Sequence, residues 1–166
     1  MIRLLVIPFL LFFLYQDLRF RAIYWICYPV LMILLILLAL PGKTAEMMMY
    51  DAGVNLGFLM IQLFLLTVYF SLKHKKMVNI TQRHLGWGDV LFLVVIAAYM
   101  SPLNYIVFYL GSLLMVLVLA AAFGRLRQGG SIPLAGLQAF LFAVILAADS
   151  SNRILSDHWI TGFIKA

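Results

Sequence analysis

The sequence predicts an all-α membrane protein of six transmembrane helices, and three observations carry that prediction. Of 166 residues, 66% are apolar and only 11% are charged, which leaves too little polar surface for a soluble globule. The apolar residues gather in six stretches separated by short polar segments. The basic residues concentrate in alternate segments, as expected when lysine and arginine set the orientation of a multi-pass chain.

The first stretch runs from Ile2 to Tyr15. With Arg3 ahead of its apolar run it imitates a secretory signal, but Arg19 and Arg21 follow it and no small-x-small cleavage site is present, so it reads as a retained helix. The second spans Ala22 to Leu40 and the third Leu56 to Leu72, the latter entered through Gly53 and Gly57. That small-x-x-x-small pair predicts close packing of one helix on another, most simply inside the bundle. Val90 to Met100, Tyr105 to Phe123 and Leu134 to Ala148 complete the set. Several are shorter than the ~20 residues of a perpendicular span, and flanking residues are needed to extend them. Gln62 and Gln138 lie inside apolar stretches, where each is expected to hydrogen-bond another helix. Tyr24, Trp25, Tyr28 and Trp87 fall near helix ends, as an interfacial aromatic belt does. Six helices use nearly all of residues 1–166 and leave a single membrane domain.

Orientation follows from the charges. Arg19, Arg21, Lys73, Lys75, Lys76, Arg83, Arg125 and Arg127 fall on one side. Arg3, Lys43, Arg153 and Lys165 fall on the other, diluted by Glu46, Asp51, Asp149 and Asp157 as solvated loop residues. The first side is therefore cytoplasmic, and both termini lie outside. The acidic residues left on the cytoplasmic side are Asp17 and Asp89, at about the same depth.

A carboxylate close to hydrocarbon costs roughly 2.5–3.5 kcal/mol on insertion scales, so it marks a functional site and calls for a partner. Asp89 closes the tetrapeptide Gly86-Trp87-Gly88-Asp89, where a basic segment runs into apolar sequence. The two glycines remove side chains beside the carboxylate and let an extended peptide backbone approach. Two carboxylates at one depth can divide the work of peptide hydrolysis, one accepting a proton from water and the other donating one to the scissile carbonyl oxygen. Simpler roles exist for each alone. Asp17 suits a helix-end residue neutralised by Arg19 or Arg21, and Asp89 suits a helix cap. Their occurrence together, with the glycines, favours a catalytic pair.

The run Tyr15-Gln16-Asp17-Leu18-Arg19-Phe20-Arg21-Ala22-Ile23, paired with Gly86-Trp87-Gly88-Asp89-Val90, resembles the type IV prepilin leader peptidases, the membrane aspartyl proteases with a GxGD motif. Ile132-Pro133-Leu134-Ala135-Gly136, opening the sixth stretch, is similar to that family's late proline-and-glycine element. The resemblance implies a GxGD-protease-like bundle with Asp17 and Asp89 catalytic. Gly86, Trp87, Gly88, Arg21, Pro133 and Gly136 would support the motif or bind substrate. It implies prepilin-like precursors as substrates, with a charged leader cut just after a glycine and just before an apolar helix. It also implies a prokaryotic inner (plasma) membrane and chemistry without metal or organic cofactor. Tyr24 stands where many members have proline, Leu91 where many have lysine, and Ala135 where glycine is more usual. The cysteine-bearing insertion that larger members link to N-methylation is not in this sequence. A catalytically silent relative, serving as a membrane scaffold for a pilus or secretion machine, is the alternative.

Other chemistries find less support. The single Cys27 excludes an intrachain disulfide. His74 and His84 lack metal-ligand spacing, and Ser156-Asp157-His158 are sequence neighbours that do not wrap into a triad. The positive charge is used by orientation and by anionic lipid, which argues against nucleic acid as a partner.

Overall fold

The computed structural model describes residues 2–74, 86–122 and 134–148, and within them the fold is entirely helical. Six helices follow in order: α1 (Ile2–Phe20), α2 (Cys27–Ala39), α3 (Ala45–His74), α4 (Trp87–Ala97), α5 (Pro102–Ala122) and α6 (Leu134–Ala148). Each overlaps one predicted stretch, and α6 matches its stretch residue for residue. The others differ in their bounds. α1 continues past Tyr15, so Asp17 lies within the helix, and α3 begins eleven residues before Leu56.

The early start of α3 has a physical reason. Its first turns carry Asp51 and Asn55, which break the run of hydropathy but are both buried and bonded. Asp51 Oδ2 accepts a hydrogen bond from Lys43 Nζ at 2.6 Å, and the same ammonium donates to the Tyr99 carbonyl at 3.0 Å. Asp51 is thus an internal ion-pair partner, which corrects its expected place in a solvated loop. Asn55 Nδ2 donates to the carbonyls of Ala97 and Met100, both at 2.8 Å. These donors meet the carbonyl groups left open where α4 ends. The α4–α5 turn is consequently buried, with Tyr99, Met100 and Ser101 each 1% exposed.

Among the described residues, two helices contain segments long and apolar enough to cross a membrane, Ala45–Tyr69 in α3 and Pro102–Leu119 in α5. α2, α4 and α6 are apolar but have only 13, 11 and 15 residues. Against the six spans expected, two helices among the described residues are candidates by length and composition. Large apolar side chains line the outside, among them Leu4, Met60, Phe64, Leu114 and Leu117.

α6 is the central element, packed most extensively on α1 and also on α4 and α5. Its buried face carries Ala135, Gly136, Ala139 and Ala143, small residues that let α1 approach closely. Gln138 lies on the same helix and donates to Ser112 Oγ of α5 at 3.0 Å, the cross-helix bond expected of it. Gln62 faces a small cavity of about 60 Å³ that it lines together with Gln138. Gly53 and Gly57 pack against nothing: a methyl group at either would meet no atom within 4 Å. The close helix contact expected of that pair is made instead by Gly136.

Candidate active site

Asp17 sits one turn before the end of α1 and is 8% exposed. The helix closes at Arg21, whose φ of 52° lies in the left-handed region and whose amide donates to the Asp17 carbonyl at 3.0 Å. This is the single-bond closing motif of helix ends, and holding it with a residue other than glycine costs about 1–3 kcal/mol. Arg21 remains near enough for its charge to act on Asp17. Arg19 takes a different position, its guanidinium stacked over the rings of Tyr15 and Phe20 at 5.9 and 5.7 Å. The preceding residue, Gln16, is 2% exposed and ties α1 to α2. Its Oε1 accepts from the Tyr24 amide at 3.3 Å and from Cys27 Sγ at 3.9 Å.

Asp89 occupies the first turn of α4. Gly86 is the N-cap, with extended φ and ψ of −67° and 140°. The Asp89 carboxylate reaches back to the Gly86 amide through Oδ2 at 3.1 Å, satisfying one of the free amides of the helix start. Its second oxygen leaves the helix: Oδ1 accepts from the Ala135 amide of α6 at 2.7 Å. The next amide along, that of Gly136, donates to Asp17 Oδ2 at 2.6 Å. Consecutive amides at the N-terminus of α6 therefore hold the two carboxylates, one from α1 and one from α4. The positive end of a helix is suited to that task, because its first amides have no partners within the helix and its dipole favours negative charge. Asp17 lies close enough for its charge to act on Asp89.

Two glycines make this approach possible. A methyl group on Gly136 would lie 2.7 Å from Asp17 Cβ and 2.9 Å from its Oδ2, so α6 reaches α1 only because no side chain stands between them. A methyl group on Gly88 would lie 2.8 Å from the hydroxyl of Tyr28. Tyr28 was expected in the interfacial belt. It is instead 4% exposed, held edge-on to Phe13 at 5.4 Å, with a buried hydroxyl that makes no hydrogen bond. Asp17 and Asp89 both act electrostatically on that hydroxyl.

The structure thus brings together Asp17, Asp89, Gly86, Gly88, Gly136 and Arg21. Trp87 opens α4 and is 64% exposed, as are Tyr24 and Trp25 to similar degrees, in keeping with a belt. Pro133 lies outside the described residues, as do Lys75, Lys76, Arg83, His84, Arg125, Arg127, Asp149 and the segment of His158. Sequence reasoning missed Tyr28, Gln16 and the Ala135 amide. A signal for Tyr28 was available in principle, since it lies one residue inside α2 and a helix start is where a side chain can face the neighbouring helix end. Backbone amides leave no mark in side-chain identity. Among the described residues, no three metal-ligating side chains come together.

Two carboxylates and a phenol at the end of a buried helix form a constellation able to activate water and polarise a carbonyl group. No protein-family model matches the chain, and no curated protein or solved structure matches it either.

Proposed function

We propose that the chain is a membrane-embedded aspartyl endopeptidase that removes short basic leaders from prepilin-like precursors at the cytoplasmic face of the inner membrane. The observation that carries this reading is the meeting of Asp17 and Asp89 on consecutive amides of α6. Two carboxylates from distant helices are held at one point, with glycines clearing the ground around them. In the mechanism, the ionised carboxylate takes a proton from water as its oxygen attacks the scissile carbonyl carbon. The protonated partner donates to the carbonyl oxygen, and collapse of the tetrahedral intermediate breaks the C–N bond as the nitrogen is protonated.

In this reading six helices share the bilayer, with α3 and α5 crossing it fully. α4, at about 1.5 Å per residue, is roughly 16 Å long, about half the thickness of the hydrocarbon core. Its end is irregular backbone at membrane depth, which is tolerated only when buried in protein and fully bonded. Lys43 and Asn55 supply those bonds. The exposed apolar faces of α1, α3 and α5 contact lipid, and the apolar helix of the precursor lies beside them. Neither a metal nor an organic cofactor has a part in the mechanism.

The test is co-expression with prepilin-like precursors, followed by the intact mass of each precursor. Loss of a leader in the presence of the wild-type protein, and an uncut precursor with Asp89→Asn, is the expected result. A stably inserted wild-type protein that processes none of them would overturn the peptidase reading in favour of a silent scaffold.

A further inference from the structure

We infer that Tyr28 is a third catalytic residue, its phenol donating a hydrogen bond to the scissile carbonyl oxygen; the inference rests on the peptidase reading above. A tyrosine buried in an apolar bundle normally finds a partner for its hydroxyl. This one has none, although the residue is 4% exposed. Leaving such a group unsatisfied is unfavourable, and phenylalanine would make the same edge-on contact with Phe13 without that penalty. The hydroxyl is therefore not explained by packing.

Its position is explained by the site. The hydroxyl stands against Gly88, the second glycine of Gly86-Trp87-Gly88-Asp89, at a spot where any other residue would place a methyl group 2.8 Å away. It is within electrostatic reach of both carboxylates. The ring cannot swing away readily. Phe13 bears on it, and the start of α2 is tied to α1 through the Gln16 contacts with Tyr24 and Cys27.

The chemistry needs a donor of this kind. When water oxygen bonds to the carbonyl carbon, the π electrons of the C=O move onto its oxygen. The proton that finally neutralises that oxygen comes from the protonated carboxylate. A phenol is neutral, donates a hydrogen bond without giving up its proton, and adds no negative charge beside two carboxylates. A fixed donor aimed where charge develops is the most effective form of electrostatic stabilisation. Electrons and protons balance with Tyr28 unchanged at the end of the cycle.

The experiment compares wild type, Tyr28→Phe and Asp89→Asn on one purified leader-bearing precursor in detergent micelles, recording kcat, KM and thermal unfolding. Removing one such donor should lower kcat by about 10²-fold with KM within about threefold, while the unfolding temperature is unchanged or raised. A fall in kcat smaller than about tenfold, beside an inactive Asp89→Asn, overturns the role of Tyr28 and leaves the peptidase intact. Absence of cleavage by the wild type overturns both. Failure of Tyr28→Phe to accumulate would likewise overturn the inference, because it would show that the hydroxyl serves the fold.

Discussion

Replacing Gly136 by alanine tests the joint between α1 and α6 on which the candidate site depends. The added methyl carbon would lie 2.7 Å from Asp17 Cβ, and it must retreat by about 0.7 Å to reach the 3.4 Å at which ordinary contact begins. Asp17 belongs to a long helix and has no flexible end at its β carbon, so α6 itself must shift. The shift lengthens the 2.6 Å bond from the Gly136 amide to Asp17 Oδ2. A hydrogen bond to a charged group contributes about 1.5–3 kcal/mol, and forcing a methyl group into a packed contact costs about 1–3 kcal/mol. Together these give about 4 kcal/mol of destabilisation, offset by at most about 1 kcal/mol of helix propensity gained on leaving glycine. Gly111 in α5 supplies the control, because a methyl group there meets no atom within 4 Å and registers propensity alone. Unfolding can be followed in micelles with a thiol-reactive fluorophore, since the single cysteine, Cys27, is buried. Gly136→Ala should unfold well below wild type, and Gly111→Ala at or above it. In the cleavage assay a displacement approaching 1 Å should lower the rate about 10²-fold. Equal unfolding temperatures for the two variants would refute the reasoning.

Other predictions follow from the opposite end of the bundle. Lys43→Met leaves the Asp51 carboxylate buried without its partner and should destabilise by about 3–5 kcal/mol, whereas Lys43→Met combined with Asp51→Leu should recover most of that loss in the same unfolding assay. Asn55→Leu removes both donors to the end of α4 and should cost about 1–3 kcal/mol for each carbonyl left unbonded, measured by the same unfolding curve. Neither change touches the carboxylate pair, so the protein that remains folded should retain its kcat.

Part of this arrangement was legible in the sequence, for identifiable reasons. The six helices were marked by runs of apolar residues, which report burial or lipid contact directly. Asp17 and Asp89 stood out because a carboxylate beside hydrocarbon demands a partner. Asp51 misled, because its partner Lys43 lies eight residues earlier, across a turn, and an ion pair closed by a turn leaves no periodic signal. The start of α3 was lost for the same reason, its polar residues being satisfied by groups far along the chain. Gly53 and Gly57 matched a packing pattern but face open space, whereas Gly136, with no such partner in sequence, makes the close contact. Spacing along one helix reveals what a face could do and is silent on which helix meets it. Tyrosines at helix ends usually lie at the interface, and only the depth of the α2 start in the bundle moves Tyr28 to the site.

Whether Asp17 and Asp89 act as one catalytic unit is measured most directly by a double-mutant cycle. Cleavage of a leader-bearing precursor is compared for Asp17→Asn, Asp89→Asn and the double variant. Residues that act as a unit are grossly non-additive, so each single change should abolish turnover and the double should be no worse than either. Turnover persisting in one single variant, or losses that add in the double, would contradict their action as a unit.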